Sequence, residues 1–121
     1  MVSTAYERCG GFSTVRKIVS AFYDKVLDSE TLQHYFANIN MPRLIDHQTQ
    51  FIASVMGGPA TFSDDALHKA HARLGITQSE FDEITELLRE ALEDNDVDDE
   101  DVELIIDGVQ KKAMFVVTKR D

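Results

Sequence analysis

Apolar residues recur every three or four positions along most of this chain and nowhere alternate one by one over a useful length, so the pattern predicts helices and no sheet. A short first helical segment ends at the Gly10–Gly11 break. Beyond it Val15, Ile18, Val19, Phe22 and Val26 fall on one face of a helix, with Ser13 as its cap and its end near Asp28 and Ser29. Tyr23 flanks that face. The stretch LQHYFANIN is compact and turn-like at its end. Asn40 before Met41 and Pro42 is a start signal for the next helix, because proline is tolerated in a first turn; Gly57, Gly58 and Pro59 then stop it. Residues 59 to 64 are expected as loop, leaving Ser63 or Asp64 to cap a short helix. Thr77 and Glu80 have capping-box spacing ahead of a helix carrying Phe81, Ile84, Leu87, Leu88 and Ala91. A final helix is predicted from Asp98 to Thr118 on Val102, Ile105, Ile106, Val109, Ala113 and Val116, giving one all-α domain over residues 1–121 with short connections.

Polar side chains sit on two of these apolar faces. Leu67, Ala70, His71 and Leu74 follow the i, i+3, i+4, i+7 spacing of one helical face, which turns His71 inward. Taken alone, His71 reads as a core histidine with its ring nitrogens hydrogen-bonded. A second segment shifts that reading, because Leu44, His47, Gln48, Phe51, Ile52 and Val55 fall within one arc and place two more polar side chains on a face that should be buried. An imidazole or carboxamide buried without a hydrogen bond costs about 1–3 kcal/mol, so these groups need internal partners, water or a ligand between the helices.

Composition narrows the function classes. A chain of 121 residues with 43% hydrophobic and 28% charged residues suits a single globular domain, and its apolar runs are too short for a membrane span. The N-terminus lacks a cationic region followed by an apolar one, so a cytoplasmic location is expected. The net charge of −10 argues against nucleic acid or an anionic membrane surface as partner. Residues 77–107 hold fourteen Asp or Glu against Arg89 alone, read as a solvated helix face, while Lys111, Lys112, Lys119 and Arg120 gather near the end. Cys9 has no second cysteine for a disulfide or a CxxC motif and reads as a small structural residue.

Several short motifs in order carry a resemblance: Gly10 and Gly11 after a short helix, FYDKVL at 22–27, HYF at 34–36, HQTQF at 47–51, GGP at 57–59 and AHARLGIT at 70–77. In this order and spacing the chain resembles the truncated haemoglobins of the first group, from Tyr6 to the end of the last helix, and in particular their cyanobacterial-type members. The resemblance implies a two-over-two helical sandwich around one noncovalent haem b. It implies that His71 is the proximal ligand to the haem iron, that Phe36 wedges against the porphyrin, and that Phe51, Ile52, Val55, Leu67, Leu74, Ile76 and Phe81 line the pocket. Tyr23 and Gln48 are implied as hydrogen-bond donors to the bound gas, with Leu44 an apolar distal neighbour that helps gate access.

His47 has two fates among relatives, a sixth iron ligand or a contact at the haem edge, and coordination is the expectation adopted. Met114 stands where some bis-histidyl relatives carry a histidine that bonds covalently to a haem vinyl, so no such crosslink is expected. Arg43 and Arg73 are candidates to pair with propionates, whereas His34 and His68 lie off the inward faces and are expected to face solvent. An extended basic N-terminal segment, as in some relatives with nitric oxide dioxygenase activity, is not expected here.

The resemblance thus implies a monomer that reversibly binds dioxygen, nitric oxide or carbon monoxide. Oxidation of nitric oxide to nitrate is an enzymatic extension that needs a separate reductase, because no flavin or nicotinamide site is read here. A bis-histidyl redox, sensing or electron-transfer protein is the alternative, and a cofactor-free helical interaction module is a third.

Overall fold

Phe12–Leu27 forms a helix because its apolar positions repeat with helical spacing, and Val15, Ile18, Val19, Phe22, Tyr23 and Val26 are buried along it. The computed structural model describes residues 4–58 and 63–119. In chain order, α1 (Ala5–Cys9) and α2 (Phe12–Leu27) are followed by a 3-10 turn (Gln33–Phe36), α3 (Met41–Val55) and α4 (Asp64–His71). The chain continues as α5 (Gln78–Asp94), α6 (Asp99–Gln110) and α7 (Ala113–Val116). Helix α2 packs on α3 and α5 packs on α6, while contacts of α2 with α5 and of α3 with α6 lay the first pair over the second. This is a two-over-two helical sandwich. No strand occurs among the described residues.

Local chemistry explains most boundaries. Gly10 closes α1 at φ 109°, a left-handed conformation that glycine adopts without Cβ strain. Asn40 accepts the Arg43 amide with its side chain and starts α3, where Pro42 occupies the first turn. Ser63 caps α4 by accepting the Ala66 amide. At α5, Thr77 and Glu80 form the expected capping box.

Two boundaries depart from expectation. Gly11, not Ser13, occupies the N-cap of α2, and Ser13 lies within the helix. The predicted helix from Asp98 to Thr118 is broken at Lys111 and Lys112 into α6 and α7. Helix α7 packs against α4, and after it the Thr118 and Lys119 amides both donate to the Ile76 carbonyl, at 2.9 and 3.2 Å. These partners hold the end of the chain over the α4–α5 connection, away from the path a continuous helix would take. Pro59 and the expected loop through residue 62 lie outside the described residues, as does Arg120.

The core extends through all four sandwich helices and includes Ile18, Leu32, Leu92, Ile105 and Ile106, each at most 2% exposed. Gly108 lets α6 approach α3 closely, since a Cβ there would stand 2.6 Å from Val55 Cγ1. Within the acidic run, Asp101 departs from the solvated-face reading because it is buried and accepts a two-point contact from Arg8, at 3.1 and 2.5 Å. The guanidinium holds the Asp101 carboxyl below its ordinary range, with burial opposing it. Arg89 likewise bridges α5 to Glu103 of α6. No helix among the described residues is long and apolar enough to cross a membrane.

Candidate functional site

One cavity of about 270 Å³ lies between the two helix layers and the α4 segment. Its first wall comes from Val19, Phe22, Tyr23 and Val26 of α2, with Leu44, Gln48, Phe51 and Ile52 of α3. Phe36 closes one end, its ring meeting Tyr23 edge-on with centroids 5.7 Å apart. Leu67, Ala70 and His71 of α4 form the facing wall, continued by Leu74 and Ile76. Phe81, Ile84 and Leu88 of α5, with Val109 and Val116 from the end of the chain, complete the lining. Ile39 and Leu74, 47% and 42% exposed, mark where the cavity meets solvent.

His71 is the last residue of α4, and its Nδ1 lies 2.7 Å from the Leu67 carbonyl oxygen one turn earlier. A carbonyl only accepts, so Nδ1 carries the proton and donates it. This fixes the tautomer and leaves the Nε2 lone pair free in a ring that lines the cavity. Opposite, Tyr23 is buried with its hydroxyl unpartnered among the described residues, and the Gln48 carboxamide is likewise without a hydrogen-bond partner there. Both are nevertheless in contact with open space, since no buried side-chain polar atom lacks a partner. Burial pushes the Tyr23 phenol far up, so it remains a neutral donor at any physiological pH.

Among the described residues no three of His, Cys, Asp or Glu converge as a metal site. A metal ion held by His71 must therefore bring its other ligands with it, as a porphyrin does for iron. A single tautomer-fixed imidazole, an apolar enclosure and two donors across from it are a donor set that fits haem.

Most of the residues expected at this site meet there: Phe36, Leu44, Gln48, Phe51, Ile52, Leu67, His71, Leu74, Ile76, Phe81 and Tyr23 all line the cavity. Four do not. His47 is exposed on α3 and outside the lining, because the buried side of that helix runs through Thr49, Phe51, Ile52 and Ala53 and turns His47 to solvent. Val55 packs toward Gly108 at the α3–α6 crossing. Arg43 is exposed beside the cap of α3, and Met114 is 75% exposed on α7. His34 and His68 face solvent as expected.

Eight further lining residues, Val19, Phe22, Val26, Ala70, Ile84, Leu88, Val109 and Val116, read in the sequence as apolar helix faces and not as cavity lining, and three more, Tyr35, Ile39 and Lys112, are singled out there on no apolar face. Tyr35 precedes Phe36 in the 3-10 turn and donates its hydroxyl to Glu80 at 2.7 Å; Ile39 follows that turn, and Lys112 sits at the α6–α7 break. Tyr35 and Ile39 lie outside the α-helices, and Lys112 falls at a break in what the sequence reads as one helix, so helical period placed none of the three.

Comparison with known proteins agrees with this geometry. The sequence profile of the family described as bacterial-like globin matches residues 4–118. The group 1 truncated haemoglobin of Tetrahymena thermophila is 33% identical over 97 residues, covering 80% of this chain and 80% of its own. That of Mycolicibacterium paratuberculosis is 31% identical over 116 residues, covering 96% of this chain and 85% of its own. The crystal structure of the Fe(III) truncated haemoglobin of Tetrahymena pyriformis superposes with a TM-score of 0.88 at 28% identity, over 97% of this chain and all of that one. A fold of two crossed helix pairs around a histidine-bearing apolar cavity and a family match over nearly the whole chain lead to one conclusion: this chain belongs to the bacterial-like globins, among the group 1 truncated haemoglobins, a family whose cofactor is haem.

Proposed function

We propose that the protein is a reversible binder of diatomic gases, chiefly dioxygen, at a haem b seated in the cavity between His71 and the Tyr23–Gln48 pair. A haem held there would supply the iron at which a diatomic gas binds. His71 Nε2 is the group that would hold the iron, and its Nδ1–H bond to Leu67 fixes the tautomer and the ring orientation. Phe36 and the α3 side chains Phe51 and Ile52 exclude water from the facing side. Tyr23 and Gln48 then offer hydrogen bonds to a small ligand that gains negative character on binding. The observation that carries this reading is the pair of unpartnered donors set across an apolar cavity from one tautomer-fixed imidazole.

His47 does not enter this reading, because it lies on the exposed side of α3 and a move into the cavity would require that helix to rotate. The reading therefore leaves His47 out of the group that would hold the haem. Oxidation of nitric oxide fits as a further activity: NO plus O₂ plus one electron gives nitrate, and the electron comes from a separate reductase. The protein would act as a cytoplasmic monomer served by that partner.

Absorption spectra of the haem-loaded protein test the reading. The ferrous form should be five-coordinate and high spin and should bind dioxygen reversibly. A chain that takes up no haem, or a ferrous form already six-coordinate and low spin, overturns it.

A further inference from the structure

Helix α4 carries His71 on little support from the core. Its eight residues bury Leu67 alone. Its first residue, Asp64, accepts an ion pair at 2.6 Å from Lys112, at the break between α6 and α7. Lys112 also lines the cavity and has its ammonium 6.0 Å from the centre of the Phe115 ring, while α7 packs along α4. The side chains of Lys112 and Asp64 are 32% and 49% exposed, so the pair is partly shielded from water. The other ion pair on α4, Lys69 with Asp65, lies within the helix and is 77% exposed at both ends. Only the Asp64–Lys112 pair joins α4 to another element among these ion pairs.

We propose that the Asp64–Lys112 ion pair is a positioning latch that holds the His71 helix against the end of the chain and so sets the orientation of the imidazole toward the cavity. The role rests on the haem reading of the same cavity, although the latch itself is a property of the chain. Asp64 stands at the start of α4, where a carboxylate also complements the free amides of the first turn. Lys112 reaches it from an element whose position is independently fixed, because Val116 is buried and the residues after α7 donate to the Ile76 carbonyl. The latch at Asp64 and the backbone bonds to the Ile76 carbonyl together tie both ends of the segment that bears His71. An alternative use of Lys112 is to pair with an anionic group on a ligand at the cavity mouth, and the two uses predict opposite signs for Asp64 variants.

The test is a double-mutant cycle of Asp64→Asn, Lys112→Met and both together, with Lys69→Met as control. Three measurements are made on the full chain: haem transfer to an excess of a high-affinity acceptor, the low-frequency Raman band of the iron–His71 bond, and hydrogen exchange of α4 amides in the haem-free protein. A latch gives about twofold to fivefold faster haem transfer in each single variant at low ionic strength, the double variant no worse than the more severe single, and a shifted Raman band. The differences should shrink in ~1 M salt, where the screening length falls to about 3 Å. Lys69→Met should change none of these. Slower haem transfer in Asp64→Asn with faster transfer in Lys112→Met assigns Lys112 to the ligand and overturns the latch, and so do additive effects in the cycle. If the wild-type chain takes up no haem, the functional reading fails, while hydrogen exchange at α4 still decides the latch.

Discussion

Helices α2 and α3 bury six and four side chains respectively, whereas α4, facing them across the cavity, buries Leu67 alone. Tyr23 is thus held by the packing of a long helix, and His71 by a set of separate bonds. Those bonds are the Ser63 cap, the Asp64–Lys112 pair, the Leu67 carbonyl on His71 Nδ1, and the Ile76 carbonyl beneath residues 118 and 119. The contrast separates two tasks. On the proposed reading, a wall that excludes water and presents donors gains from rigid apolar packing, while the helix bearing the histidine beside a large planar group is secured by a few polar contacts. Segments with few buried contacts also open locally at lower free energy, so α4 amides should exchange faster than those of α2.

The sharpest way to break this comparison is to remove the one strong bond that the weaker wall offers. His71→Gly should abolish stable haem retention, read as loss of the Soret band on gel filtration, and added imidazole should partly restore it. Retention of a wild-type spectrum by this variant would mean that the packed wall alone holds the group and that His71 has another role.

Next in size is the removal of the donors on the packed wall. Tyr23→Phe combined with Gln48→Leu should raise the dioxygen dissociation rate well over tenfold in flash photolysis, since each hydrogen bond to a partly charged acceptor contributes about 1.5–3 kcal/mol. Carbon monoxide, which gathers less negative charge, should respond less. Equal effects on both gases would point to altered cavity shape and away from hydrogen bonding.

A smaller effect concerns Glu80, which connects the two sides. Its carboxylate accepts the Thr77 amide at 3.0 Å and the Tyr35 hydroxyl at 2.7 Å, linking the connection after His71 to the turn that carries Phe36. The Thr77 backbone bond is the main cause that lowers the Glu80 carboxyl below its ordinary value of 4.5; burial opposes it and the Tyr35 bond assists. Because the folded value is depressed, the associated stability is fully present above the unfolded value and is lost as pH falls through the folded one. Glu80→Gln should therefore destabilise the protein at neutral pH, and its deficit against wild type should narrow below pH 4.5 in urea titrations followed by circular dichroism. A deficit independent of pH would show that the glutamate acts through packing alone.

The smallest expected effect is that of His47→Leu. With His47 exposed and outside the cavity, this variant should leave the ferrous spectrum and the carbon monoxide association rate unchanged. A change from six-coordinate to five-coordinate on mutation would show that α3 rotates and would weaken the contrast between a fixed wall and an adjustable one.

Much of the architecture was legible from local signals. Asn40 with Pro42, Ser63, and the Thr77–Glu80 pair marked helix starts because capping depends on side chains within three residues of the boundary. The inward direction of His71 and Gln48 followed from helical spacing. His47 and Val55 show the limit of that signal in two ways: His47 sits at the edge of the arc and meets water, whereas Val55 shares the arc but lies a turn beyond Phe51, where α3 meets Gly108 of α6, while Leu44, Gln48, Phe51 and Ile52 reach the cavity.

The sequence by itself determined the helical class, the places where most helices begin, the family, and which polar side chains had to be accounted for among apolar ones. These follow from the 3.6-residue period and from bonds closed within a turn or two. Tertiary structure alone decided that the last helix breaks at Lys111 and Lys112, that Tyr35, Ile39 and Lys112 join the cavity, and that Asp64 and Lys112, 48 positions apart, meet. No glycine or proline at residues 111–113 announces the break. It arises from contacts with α4 and with the Ile76 carbonyl, and such contacts exist only once helices distant in the chain have packed.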